Sequence, residues 1–215
     1  MTKLSLLLLL LLLLLCITVG FSQEPKVIRS VSDLSSNTFF DRTEFTAGYS
    51  GNIFWNNGIN LGAEYLLEEK KKVKNKRRGQ KTNTHQFLLN GNLGFTTNFS
   101  SKTDTGFYTN YGITWRRTNK KGKQFSVDFN PLGYYRSILP ETYEVKGDDV
   151  DKVFLPGRSY YAPSISLGIG KQRLGKKLTG RYFKINLVLR TPFNAGTVPS
   201  INLQYGYRFK FKNKK

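Results

Sequence analysis

From Arg42 to Phe211 the chain alternates between apolar and polar positions, with the apolar set mostly at odd numbers. A strand sends successive side chains to opposite faces, so each such run has one apolar and one polar face. The last run is the clearest: Ile201, Leu203, Tyr205, Tyr207, Phe209 and Phe211 alternate with Asn202, Gln204, Gly206, Arg208 and Lys210. The first sets Phe45, Ala47 and Tyr49 against Glu44, Thr46, Gly48 and Ser50. Across the hairpin signal Asn57-Gly58, the second sets Ile59, Leu61, Ala63, Tyr65 and Leu67 against Asn60, Gly62, Glu64 and Glu68. A third run carries Phe87, Leu89, Leu93 and Phe95, and a fourth carries Phe107, Tyr111, Ile113 and Trp115, with Thr114 and Arg116 on its polar face. The fifth, Phe125, Val127 and Phe129 against Ser126, Asp128 and Asn130, is interrupted by Pro131. Proline cannot donate to a strand ladder, so a bulge or register change is predicted near Tyr134 and Tyr135. The sixth carries Ile165, Leu167 and Ile169; the seventh sets Phe183, Ile185, Leu187 and Leu189 against Tyr182, Lys184, Asn186 and Arg190.

These runs predict an all-β fold, an up-and-down antiparallel barrel of eight strands over 42–211. The last run alone would also suit the edge of a soluble sandwich. A sandwich, however, does not need apolar residues on the outward face of every strand. A barrel in lipid does, because its outer wall must be apolar and closure must satisfy every backbone group. Between the runs, a basic loop is expected over 69–83 and the longest loop over 138–157.

Composition agrees with alternating faces. The 215-residue chain holds 12 Tyr, 16 Phe and 20 Gly. Its mean hydropathy is only −0.41. Lys3, the run Leu6 to Leu15 and the small residues Gly20 and Ser22 predict a cleaved signal peptide over 1–22. Cys16 follows Leu15, where lipidation requires a small residue, so no lipid anchor is expected. Removal of that segment takes the one cysteine with it, which leaves no disulfide, thiol nucleophile or thiolate-bound metal. A short leader, 23–41, would precede the barrel, and a basic tail, 212–215, would follow it.

The end of the last run, with Gln204, Gly206, Phe209 and Phe211 in place, resembles the C-terminal assembly signal of bacterial outer-membrane barrels. Taken with the eight runs, the chain resembles small outer-membrane barrels of the OmpA and OmpX transmembrane type over about 42–211. The resemblance implies insertion by the barrel-assembly machinery, outer-membrane lipid around the wall, and both termini in the periplasm.

The chain carries 34 Lys and Arg against 14 Asp and Glu, a net charge of +20. Nucleic acid is the usual partner of such a charge, but an exported chain without a groove-reading helix or RNA-binding motif is not expected to use it. On the parity the resemblance implies, Lys70, Lys71, Lys72, Lys74, Lys76, Arg77, Arg78 and Lys81 share the periplasmic side with the turns near Lys120 and Lys171. They would meet lipid phosphates, anionic cell wall or an acidic periplasmic protein. With one strand more or fewer, the loop would instead face lipopolysaccharide. The acids Glu141, Glu144, Asp148, Asp149 and Asp151 fall on the opposite side.

The polar faces supply both signs. Glu44, Glu64, Glu68 and Asp128 oppose Arg116, Lys184, Arg190, Arg208 and Lys210. An eight-stranded interior is just wide enough for side chains to fill, and charges there must pair, so these residues are expected to form a plug of ion pairs. Catalytic constellations are sparse: His85 is the only histidine and has no serine or acid at a useful spacing. Asp104-Thr105-Gly106 lacks a second aspartate loop, and the sequon Asn98-Phe99-Ser100 is set aside. No cofactor or metal is expected. The reading is a non-enzymatic outer-membrane barrel acting through its loops; the alternatives are a lipid-modifying enzyme on the same fold or a narrow channel.

Overall fold

The structure, a computed structural model, describes residues 39–52, 56–76, 79–98, 105–139, 141–147, 149–154, 156–172, 178–193 and 196–210. The expected signal peptide, most of the leader, Arg77, Arg78, Phe211 and the basic tail lie outside the described residues, as do the side chains of Lys74, Lys76 and Lys81.

A single helical turn, α1 (Phe39–Arg42), leads into eleven strands: β1 (Thr43–Asn52), β2 (Asn57–Lys76), β3 (Gly79–Thr97), β4 (Thr105–Asn119), β5 (Lys123–Ile138), β6 (Tyr143–Lys146), β7 (Asp149–Lys152), β8 (Gly157–Tyr161), β9 (Ser164–Gln172), β10 (Leu178–Phe193) and β11 (Gly196–Phe209). All pairings are antiparallel between neighbours, and β11 pairs with β1 from Phe45↔Phe209 to Asn52↔Asn202, which closes the ring. β8 and β9 are two halves of one wall strand, separated at Ala162-Pro163. The Ala162 N–H still donates to the Gly133 carbonyl (2.8 Å), and Leu189 N–H donates to the Pro163 carbonyl (3.0 Å), so the wall is continuous across the proline. Counted that way the ring has eight strands, as the alternation predicts.

Odd-numbered side chains line the outside and even-numbered ones the inside along nearly the whole ring. Ile59, Leu61, Leu93, Phe107, Ile113, Phe129, Ile165, Leu167, Leu187 and Ile201 are all exposed on the outer wall. Ser50, Asn60, Thr114, Ser126, Ser166 and Asn186 are buried inside. Two bulges change this parity, since one extra residue turns every later side chain to the other face. The first is at Leu67: Leu66 pairs with Leu88, but Glu68 pairs with Phe87. The second places Asn130 and Pro131 against Gly112, between Tyr111↔Leu132 and Ile113↔Phe129. It is the interruption expected at Pro131, and beyond it Tyr135 points inward while Leu132 and Tyr134 point out.

The 69–83 segment is not a loop. β2 and β3 stay paired through Lys70↔His85 and Lys74↔Lys81 to Lys76↔Gly79. β1 reaches only Tyr65 on β2, while β4 stays beside β3 as far as Asn83, opposite Lys72. The two strands therefore run on without a neighbour on either side only from Val73 to Lys76 and from Gly79 to Thr82, roughly 13 Å at the usual rise. Val73, Thr82 and Thr84 favour strand here, while the alternation that marks a two-environment wall is missing. At the opposite end, the expected long loop over 138–157 carries the small hairpin β6–β7, turned at Gly147 with φ +68°.

Gly112 faces two residues at the second bulge, and a methyl group there would sit 2.0 Å from the Phe129 carbonyl oxygen. Gly112→Ala should lower the stability of the barrel by about 1–3 kcal/mol. Gly91→Ala, whose methyl would meet only the Tyr111 ring at 3.2 Å, should be milder. Urea midpoints of the folded species measure both.

Candidate functional site: the ion-pair plug and the basic mouth

The enclosed charges belong to even positions of six wall strands and meet across the lumen. Glu64 on β2 is at their centre. One carboxylate oxygen accepts from Arg116 of β4 and from Arg208 Nε of β11 at 3.1 Å; the other lies 3.2 Å from Lys184 Nζ of β10. Arg116 Nη1 also donates to Glu44 of β1 at 2.6 Å, and Lys184 Nζ lies 2.7 Å from Asp128 of β5. All six residues are at most 6% exposed. Glu44, Glu64 and Asp128 therefore neutralise Arg116, Lys184 and Arg208 one for one. Lys210, half-exposed at the end of the lumen, approaches Glu44 at 3.8 Å. Enclosing an unpaired charge costs several kcal/mol, so neutrality is a condition for closing the barrel around these groups.

Seven of the nine residues expected in the network are thus brought together, and two are not. Glu68 is turned to the outer face by the Leu67 bulge and pairs there with Lys70 at 2.6 Å. Glu69 takes the inward position instead, accepting from Gln86 Nε2 at 2.9 Å. Arg190 lies six residues along β10 from Lys184, about 20 Å away, with its guanidinium 3.9 Å above the Tyr135 ring.

The sequence places Tyr182 on the inner face, but it does not give Tyr182, Tyr108 or Gln124 the role of holding the cations in place. Tyr182 lies under both Arg208 (4.9 Å) and Lys184 (5.4 Å), and its hydroxyl donates to Asn60 at 3.1 Å. Gln124 accepts from Arg208 Nη1 at 2.8 Å and donates to Thr118. Tyr108 donates to Ser50 at 2.8 Å. Even numbering places Tyr108 and Gln124 inside as it does Tyr182, but parity does not say which inner residues meet the cations. Beyond them, Tyr108, Tyr135, Val188 and Arg190 line a cavity of about 20 Å³, room for about one water molecule.

Of the assembly-signal residues, Gln204 and Gly206 face the interior, Gly206 lying against Tyr182, while Phe209 stacks on Phe45 with centroids 6.4 Å apart. At the end that holds the start of β1 and the end of β11, the overhanging hairpin and the β4–β5 turn enclose an open basin of about 360 Å³. Glu69, Lys71, Gln86, Lys120 and Gln172 line it, and Gln124 with Arg208 lies beneath. Lys71 faces this basin, whereas Lys70 faces out. His85 packs against Trp115 with ring centroids 5.7 Å apart. Among the described residues no group of His, Cys, Asp and Glu is placed to hold a metal ion.

Compared with protein-family models, curated proteins and solved structures, the chain has no match. The class it belongs to, an eight-stranded antiparallel β-barrel with an apolar wall and an ion-paired lumen, follows from its own residues.

Glu64→Gln removes one charge from a carboxylate that serves three cations. The loss should be about 3–5 kcal/mol of stability. Glu68→Gln, on the outer face, should cost about 0–1 kcal/mol. Equal effects in urea or heat denaturation would contradict the assignment of the bulge.

Proposed function

We infer that the chain is an integral β-barrel of a bacterial outer membrane, similar to the small OmpA- and OmpX-type barrels, and that it works without catalysis, through its ends. The observation that carries this reading is the inversion of polarity. Large apolar side chains are exposed around the outer wall, whereas the charged groups are enclosed. A water-soluble protein with that wall would expose an apolar surface far larger than monomers tolerate, while lipid requires it.

Both ends of the ring, β1 and β11, start and finish beside the overhanging hairpin. On the topology of the resembling barrels this end is periplasmic. Lys70, Lys71 and Lys72 then stand on the rim, where β4 still flanks the hairpin, and the cations the sequence adds up to Lys81 continue onto its two-stranded tip. Anionic cell wall or an acidic periplasmic protein is the partner that fits this charge. The ion pairs cross the lumen between six of its strands, which favours an interaction role over a channel.

A heat-modifiability gel on the outer-membrane fraction tests the reading: the unboiled protein should migrate as a compact species and the boiled protein as an extended one. Leu187→Arg, on the wall, should cost roughly 2–4 kcal/mol in lipid, and Asn186→Ser, inside, should be mild. Equal tolerance at the two positions would sink the lipid-facing assignment. In planar bilayers the wild type should show no steady conducting state; a stable open level would promote the channel reading.

A further inference from the structure

Asp151 is the last carboxylate side chain in the sequence. The strands β8 to β11 therefore contribute cations with no acid of their own, and Lys184 and Arg208, which face inward, depend on Glu64 and Asp128. The outward-facing cations have no such supply. Lys123 pairs in register with Lys171, and Lys171 with Arg181, so three like charges lie side by side on the outer faces of β5, β9 and β10. All three side chains are exposed. Neighbouring strands are about 4.8 Å apart, which puts the row within about 10 Å. Like charges directly opposite one another destabilise a sheet. The nearest acid on these strands, Asp128, points into the lumen and is engaged with Lys184. Elsewhere on the outer wall the chain does compensate: Lys70 has Glu68 at 2.6 Å.

The next outward row on the same three strands is apolar, Phe125↔Ile169↔Phe183 in direct register, and further apolar rows continue toward Leu187. A cationic row abutting an apolar stripe matches a molecule with a phosphate at one end and acyl chains at the other. We propose that Lys123, Lys171 and Arg181 form a binding site for the phosphate of an anionic glycerophospholipid, whose chains lie along Phe125, Ile169 and Phe183. A free phosphate would use the row but leave the stripe uncovered. The site rests on the membrane reading above, and it gives that reading a lipid preference confined to one side of the barrel.

The test uses the full-length protein purified from membranes and reconstituted in vesicles of phosphatidylcholine and phosphatidylglycerol in equal parts. Native mass spectrometry then counts the lipid retained on release. Wild type should retain phosphatidylglycerol over phosphatidylcholine. The combined variant Lys123→Gln, Lys171→Gln, Arg181→Gln should lower that retention about tenfold or more. Lys71→Gln, Lys120→Gln, Lys121→Gln removes the same charge from the basin and turn, and should retain the lipid as wild type does. Undiminished retention in the first variant, or an equal loss in both, overturns the site. The single Lys171→Gln, at the centre of the row, carries the same test should the combined variant not fold. A wild type that is not heat-modifiable overturns the membrane reading itself. A folded, inserted wild type without lipid preference overturns the site alone.

Discussion

Three cations converge on the carboxylate of Glu64, and the interior is arranged around satisfying them. Arg116 comes from β4, and Lys184 and Arg208 from the adjacent strands β10 and β11, so their side chains meet across the space that would otherwise be a bore. Each carries its charge into a low-dielectric enclosure only because acids from β1, β2 and β5 meet it there. Tyr182 and Gln124 then fix the cations laterally, through ring faces and an amide oxygen. Around Glu64 the lumen is filled by pairing, and toward the other end Tyr108, Tyr135, Tyr160, Ala162 and Val188 pack together inside.

The wall was legible because its two faces meet different surroundings. Wherever one side touches apolar medium and the other a polar lumen, residue type must change at every step, as from Ile201 to Phe209. The same logic explains what was missed. Beyond Leu67 β2 carries charges at every position from Glu68 to Lys72, so the alternation stops although the strand does not, and 69–83 reads as a loop. The Leu67 bulge has no proline or glycine to announce it, unlike Pro131, and Glu68 was therefore placed inside. Of the site, the charged members could be named from parity alone. Arg190 shared the parity but not the height along the barrel, and parity carries no information about height.

Bulge and overhang act together. One inserted residue at Leu67 turns Glu68 and Lys70 outward as a compensated pair, and turns Glu69 and Lys71 toward the basin. Without it, Glu68 would enter the lumen and upset a balance in which three acids already match three enclosed cations. The register shift thus keeps the plug neutral while it dresses the mouth.

The absence of acids after Asp151 also bears on how the barrel comes together. The partners in the plug are 120 residues apart for Lys184 with Glu64 and 144 apart for Arg208 with Glu64. The hairpin β10–β11 brings no acid of its own, and Arg208 is not matched before Glu64 of the second strand arrives. Contacts of such high sequence separation form late and slowly. Neutralisation and ring closure are consequently one event, and a half-assembled sheet is marked by exposed positive charge until its N-terminal edge docks.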